Sequence, residues 1–338
     1  MLSESADRIS YISELFASVL HDESLYGFPG FVHIRENNPW FTEENVRFGL
    51  EHNAEMLSKT NVSRWLSNYQ DQYSASEPKT VMLITAGNIP LVGLHDIICC
   101  MATHHKILWR PSSKDNLLSE WLVTCLRHRQ YIDISIIDEP CKKFDAVIAT
   151  GSNNTGRYFD YYFSKYRHII RKNRNSLAVL TGNESAQELE KLADDIFLYF
   201  GMGCRSVNNM LVPEGYNFDG LISVFEKKYG HYRYHNKYAN NYDYQKAVKL
   251  MNGESFLDAG FFILQRNPML HSPISVIHYS YYHNIDDISE YLQQHANQLQ
   301  CVVSHGGIKD EIAFGHSQKP EIFNYSDNID TLKFLLLL

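Results

Sequence analysis

Long apolar runs are scarce in this chain. The longest, FLLLL at the C-terminal end, is far short of the roughly 20 residues that cross a bilayer. It is therefore expected as a final strand or a docked end. The six cysteines, Cys99, Cys100, Cys125, Cys141, Cys204 and Cys301, form no C-x-x-C pair, which argues against a zinc knuckle, and no metal site is expected. A chain of 338 residues has no need of disulfide staples and fits a reducing compartment. Positive charge is also in short supply. Lys and Arg number 31 against 39 Asp and Glu, a net charge of -8, which argues against a nucleic-acid binder. The N-terminal MLSESADRIS lacks the basic start and apolar core of a signal peptide. These absences point to a cytoplasmic protein with no membrane span.

What is there is ordinary globular composition, 44% hydrophobic and 21% charged, at a length that suggests two lobes. Residues 1–78 read as mostly helical; in YISELFASVL, Ile12, Leu15, Phe16 and Leu20 repeat at helical spacing. YSASEPK at 73–79 reads as a linker. The pattern then changes. TVMLITAG (80–87), KILWRP (106–111), IDISIID, FDAVIATG (144–151) and NSLAVLTG (175–182) are apolar strand candidates separated by helical stretches. Such alternation predicts an α/β fold with a Rossmann-type parallel sheet covered on both faces. In SAQELEKLADDIFLYFG, Ser185 and Glu188 form a capping-box pattern, and Leu189, Leu192, Ala193, Ile196, Phe197 and Phe200 make one stripe. Gly201 suits the position just past a helix end. The expected organisation is a helical region (1–78), a nucleotide-binding domain (79–183), a second α/β catalytic domain (184–310) and a C-terminal segment (311–338).

Parallel sheets bind ligands beyond the carboxyl ends of their strands, and three such ends carry candidate residues. In TAGNIPL, Asn88 reads first as a helix cap and second as an amide donor to an oxyanion; Thr85 and Gly87 precede it. In WRPSS, Arg110 offers a fork of donors to a ribose or its phosphate, followed by Ser112 and Ser113; the plainer reading is a surface arginine before a proline turn. In ATGSNNTGR, Thr150, Gly151, Ser152 and Thr155 form a glycine turn opening a helix, where anions bind. It is neither the G-x-G-x-x-G fingerprint nor a P-loop. Cys204, in YFGMGCRSVNNMLVP, is ambiguous by itself, because lone cysteines are usually buried and inert.

Taken in order, GNIPL, RPSS, TGSNNTG, GMGC and NMLVP resemble the aldehyde dehydrogenase superfamily, closely over residues 79–215 and more weakly beyond. SSKDNLLSEW and GHSQKPEIFNYSDNIDTLKFL are similar to the bacterial acyl-CoA reductases of the fatty acid reductase subunit type. The resemblance implies that Cys204 is the nucleophile and that the Asn88 amide binds the oxyanion. It places Gly151 and Ser152 beside a cofactor pyrophosphate, and Arg110 where a lysine often lies near the adenine ribose. Three departures matter. IIRKNRNS (169–176) lacks the glutamate that activates hydrolytic water in the oxidising enzymes, so attack by water on an acyl-enzyme should be slow. Ser113 replaces a ribose-binding glutamate, which makes NADPH easier to accept, with NADH as the alternative. The EIFGP segment has only a loose counterpart in MLHSP (269–273).

The expected activity is NADPH-dependent reduction of an acyl thioester, from CoA or an acyl carrier, to an aldehyde through a cysteine acyl-enzyme. A non-catalytic thioester-binding or scaffold subunit, and an NAD(P)-dependent aldehyde dehydrogenase, are the alternatives. Retained Cys204 and Asn88 speak against the first and the missing glutamate against the second. An acyl-transferring protein partner and a homo-oligomer fit the resemblance. The basic KYRHIIRKNR (165–174) reads as a solvated helix end rather than a contact for CoA phosphate or an acidic carrier. The tyrosine-rich HYRYHNKYANNYDY (231–244) reads as amphipathic packing rather than a tunnel mouth. His305 and His316 read as structural.

Overall fold

The computed structural model describes residues 2–73, 77–139 and 143–338; Cys141 and positions 74–76 of the expected linker lie outside them. The chain divides into two compact units, Met1–Asn173 with Pro320–Leu338, and Arg174–Lys319.

The first unit opens with helices α1 (Leu2–His21), α2 (Phe31–Asn37), α3 (Glu43–Met56) and α4 (Lys59–Ser67). Of the apolar spacing read in α1, Ile12, Leu15 and Phe16 have no exposed surface and are joined by Val19, while Leu20 is only partly buried. Thr42 caps α3, accepting from the Asn45 N–H at 3.3 Å. A parallel sheet follows, built from β1 (Thr80–Ile84), β2 (Lys106–Arg110), β3 (Ile134–Ile136), β4 (Ala146–Thr150) and β5 (Arg167–Arg171), with helices α5 (Leu94–Ala102), α6 (Asn116–His128) and α7 (Asn153–Phe163) between strands. The strand order is β3-β2-β1-β4-β5, and every pairing is parallel. Alternate residues supply opposite faces: Val81, Leu83, Ile107 and Trp109 join the core shared with the N-terminal helices, while Met82, Ile84, Val147 and Ala149 pack with Phe163 on the other side.

The second unit contains β6 (Asn175–Val179), α8 (Ala186–Phe197), β7 (Val207–Pro213), α9 (Asp219–Tyr229), α10 (Asn236–Met251), β8 (Leu257–Asp258), β9 (Ile263–Arg266), β10 (Val276–Tyr282), α11 (Ile285–His295) and β11 (Leu299–Ser304). Its six-stranded sheet runs β11-β6-β7-β10-β9-β8, parallel except for the edge strand β8. The capping box of Ser185 and Glu188 is formed, and the α8 stripe is buried. The chain then returns to the first unit and ends in α12 (Thr331–Leu336), with Leu332 and Leu335 buried.

Two expectations are corrected. Residues 175–179 do not form the fifth strand of the first sheet; they form β6 of the second, and β5 takes the fifth place. The basic segment 165–174 is not a solvated helix end, because Arg167–Arg171 is that strand. Ile169 lies on its buried face, and the buried Arg171 charge is neutralised by Asp96 of α5, at 2.6 and 2.8 Å. Of the two forms expected for the C-terminal leucines, the docked end is the one found, as a helix. Asp330 caps this helix through the Lys333 N–H, the Leu335 carbonyl meets the His105 ring at 3.0 Å, and the Leu337 carbonyl accepts from Arg167 at 2.7 Å. Among the described residues no helix is long and apolar enough to cross a membrane.

Candidate active site

Strand order reverses direction between β1 and β4, and such a switch point leaves a crevice beyond the carboxyl ends of the strands. The three predicted loops meet along this edge. Ile84 pairs with Arg110 on one side and Ala149 on the other, so residues 85–88, 110–113 and 150–155 follow adjacent strand ends. Thr85 is buried, and its hydroxyl accepts from the Trp109 indole at 3.0 Å; it holds the edge together rather than facing a ligand. Gly87 has a packing reason to be glycine, since a Cβ there would sit 2.7 Å from the Ser112 side chain. Asn88 is exposed. The capping role is not observed: the N-cap of α5 is Gly93, and the Asn88 amide has no hydrogen-bond partner among the described residues.

Arg110 is half-buried, with its Nε donating to the Asp138 carbonyl at 3.1 Å. This leaves the outer nitrogens of the fork without a partner among the described residues. Ser112 caps a short 3-10 turn through the Lys114 N–H, and Ser113 is exposed. Ser152 caps α7, accepting from the Thr155 N–H at 3.2 Å and lying 2.9 Å from the Thr155 hydroxyl. Gly151 packs so closely on this turn that an added Cβ would lie 3.0 Å from the Thr155 side chain. A helix N-terminus, exposed hydroxyls and a guanidinium fork on one sheet edge suit a dinucleotide: an anion fits the first, a ribose or its phosphate the others.

Cys204 belongs to the second unit and is exposed, whereas Cys99, Cys100, Cys125 and Cys301 are buried. Burial pushes all four of those thiols up, Cys125 to about 11. The approach to Cys204 is unusual backbone. After α8, Tyr199 and Phe200 hold φ of 55° and 56° before Gly201 at 73°. The left-handed region costs a non-glycine residue about 1–2 kcal/mol. Burial of both rings holds them there; Phe200 stacks 4.5 Å from Tyr232 and from His235. The chain then turns: the Ser206 N–H donates to the Gly203 carbonyl at 3.0 Å, and the Gly203 N–H to the Ser206 hydroxyl at 3.1 Å. Ser176 of β6 donates to the Cys204 carbonyl at 3.0 Å.

Sequence reasoning missed Ser176, Ser206, the Asp96–Arg171 pair and Asp115. The buried Asp115 accepts the Leu91 N–H at 2.7 Å, and burial raises its carboxyl well above the usual range. Leu91 has φ of 53°, so Asp115 holds the bend three residues after Asn88. For Asp96 the available signal was a lone acid in the largely apolar helix LHDIICCMA; Asp115, in the polar SSKDN, gave none. The stretch 231–244 splits as amphipathic packing does: Tyr232, Tyr238 and Tyr242 are buried, Tyr234 and Tyr244 exposed. His305 pairs with Glu188, which raises the imidazole and holds the carboxyl at about 2. His316 meets the Phe314 carbonyl at 3.1 Å.

The same architecture occurs in aldehyde dehydrogenases. Superposition on indole-3-acetaldehyde dehydrogenase complexed with NAD+ has a TM-score of 0.65 at 12% identity, over 91% of this chain and 73% of that one. For aldehyde dehydrogenase 21 from Physcomitrella patens, in complex with the reaction product succinate, the values are 0.63, 12%, 98% and 79%. For the NAD+ complex of an aldehyde dehydrogenase from Bacillus cereus they are 0.62, 13%, 91% and 72%. At these identities the likeness concerns the fold. No curated protein matches the chain. The sequence profile of the acyl-CoA reductase (LuxC) family matches residues 18–262, and the chain, with its aldehyde-dehydrogenase-like fold, belongs to that family.

Proposed function

We propose that this protein reduces an acyl thioester to an aldehyde through an S-acyl intermediate on Cys204, with NADPH as reductant. Family membership supports acyl reduction to aldehyde. The observation that carries the cysteine mechanism is the exposure of Cys204 on a hydrogen-bonded turn, against the burial of Cys99, Cys100, Cys125 and Cys301. Arg110, Ser112 and Ser113 would hold the ribose end of the dinucleotide, and Gly151, Ser152 and Thr155 its pyrophosphate, with Thr85, Gly87 and Thr150 shaping the edge. When bound, the nicotinamide supplies hydride. Ser113 offers no carboxylate to repel a 2'-phosphate, and the Arg110 fork attracts one, so NADPH is favoured over NADH.

The Cys204 thiolate attacks the thioester carbonyl, forming an S–C bond. The Asn88 amide stabilises the oxyanion. The tetrahedral adduct collapses, and the CoA or carrier thiol leaves with a proton. Once the acyl carbon has been reduced, the thiohemiacetal on Cys204 breaks its C–S bond, releases aldehyde and restores the thiol. Covalent catalysis divides one difficult step into two. No acid in IIRKNRNS activates water, so the acyl group survives long enough for reduction.

The test is nucleotide consumption with a panel of acyl-CoA and acyl-carrier thioesters. Aldehyde formed in step with NADPH oxidation is the expected result, with the chain-length profile naming the substrate. Aldehyde formation with NADH alone would overturn the cofactor preference; none with any thioester would overturn the activity. Asn88→Ala should lower kcat about 10²–10³-fold while leaving nucleotide affinity within about twofold, measured by fluorescence titration and steady-state kinetics. An unchanged kcat would remove Asn88 from the oxyanion site.

A further inference from the structure

The Cys204 turn is secured from a part of the chain 112 residues further on. Asp195 of α8 has no exposed surface. It lies three residues after Leu192, in register with the apolar stripe, where a carboxylate needs donors. The donors are backbone: the Gly315 N–H at 2.6 Å and the Ser317 N–H at 2.9 Å. Gly315 has φ of 83°, and a Cβ on it would lie 3.0 Å from the Lys191 Cβ, so a glycine is what lets this segment lie down on α8. The next residue after the clamp is Gln318, buried to 7% exposure. Its Nε2 donates to the Ser206 hydroxyl at 3.1 Å. That hydroxyl also accepts the Gly203 N–H at 3.1 Å. A set of hydrogen bonds therefore runs from Asp195 through residues 315–318 to the N–H of Gly203, the residue before Cys204, and Ser206 itself has no exposed surface.

We propose that Gln318 is a positioning residue for Cys204. Through Ser206 it fixes the Gly203–Ser206 turn, and the Asp195 clamp fixes Gln318. The inference rests on the reading of Cys204 as nucleophile. Its physical basis is that covalent attack needs the sulfur within a narrow range of positions, and a displacement near 1 Å costs about 100-fold. Loss of the Gln318 amide leaves the Ser206 hydroxyl with one buried donor fewer and lets the turn rotate. Acylation slows, while the binding of thioester and nucleotide, which this set does not touch, is retained.

The test compares Gln318→Met, Ser206→Ala and the double variant in the full chain. The readouts are single-turnover acylation of Cys204, kcat and KM, and iodoacetamide labelling of Cys204 by mass spectrometry. The expected result is acylation about 10–100-fold slower in each single variant, KM within about twofold, and a double variant no slower than the worse single, because Gln318 acts on the turn through the Ser206 hydroxyl. Unchanged acylation, or losses that multiply in the double variant, would overturn the proposal. If Gln318→Met does not fold, Ser206→Ala, which deletes a single oxygen, carries the same expectation and the same refutation. Cys204→Ala is run alongside. Full turnover in that variant identifies failure of the nucleophile reading, whereas a dead Cys204→Ala with fully active Ser206→Ala and Gln318→Met identifies failure of the positioning proposal alone.

Discussion

Cys204→Ala should abolish aldehyde formation, by about 10⁴-fold or more, as expected when a covalent nucleophile is removed. The side chain is exposed, so the substitution leaves no cavity, and stability should change by less than about 0.5 kcal/mol. Nucleotide binding should persist, since the candidate contacts for the dinucleotide lie on the edge of the first sheet. The same distinction is visible without turnover. Alkylation should reach Cys204 well ahead of Cys99, Cys100, Cys125 and Cys301, because burial withholds reagent from those thiols and disfavours their thiolates. The checks are steady-state kinetics on the variant and peptide mapping after brief iodoacetamide treatment. Substantial turnover by Cys204→Ala, or alkylation of the buried thiols first, would mean that the chemistry runs elsewhere.

Asp96→Ala should destabilise the protein by about 3–5 kcal/mol. Arg171 is 5% exposed and Asp96 3% exposed; the pair is bidentate, and Arg171 also donates to the Thr331 hydroxyl at 2.8 Å. These contacts tie β5, α5 and the start of α12 together. Removing the carboxylate strands a guanidinium away from water, and that penalty, more than the lost attraction, sets the size of the effect. Replacing both partners, as in Asp96→Leu with Arg171→Met, should recover most of the loss because no buried charge remains. An exposed pair such as Lys106 with Asp133 should by contrast contribute about 0–1 kcal/mol. Urea unfolding of the three variants measures these differences. A cost below about 1 kcal/mol for Asp96→Ala would show that water reaches Arg171 and that the pair does not organise this part of the unit.

Much of the first sheet was legible because its strands are short apolar runs stopped by Gly or Pro, as in TVMLITAG and KILWRP. The strand Arg167–Arg171 was hidden by its own charges. Two arginines and a histidine in five residues look solvated until the carboxylate that neutralises Arg171 is seen, and Asp96 lies 75 residues away. NSLAV was legible as a strand but not as a member of the second sheet, because sheet membership depends on which distant strand pairs with it. Asn88 was legible as a polar residue after a strand, and its apparent role as a cap disappeared when the helix began at Leu94.

Local sequence determined what local forces decide: the Ser185–Glu188 capping box, the apolar stripe of α8 and the order of turns that follow the strands, whereas Gly201, read as lying just past the helix, stands four residues beyond its last residue, Phe197. Each depends on groups a few residues apart, so spacing alone specifies it. Tertiary structure decided what depends on solvent and on remote partners. It left Cys204 exposed while burying Cys99, Cys100, Cys125 and Cys301, brought Asp96 to Arg171, and set Gln318 against Ser206, 112 residues distant in the chain. A thiol's reactivity and a buried charge's energy are set by the water removed and the partners supplied, and only the folded chain assigns either.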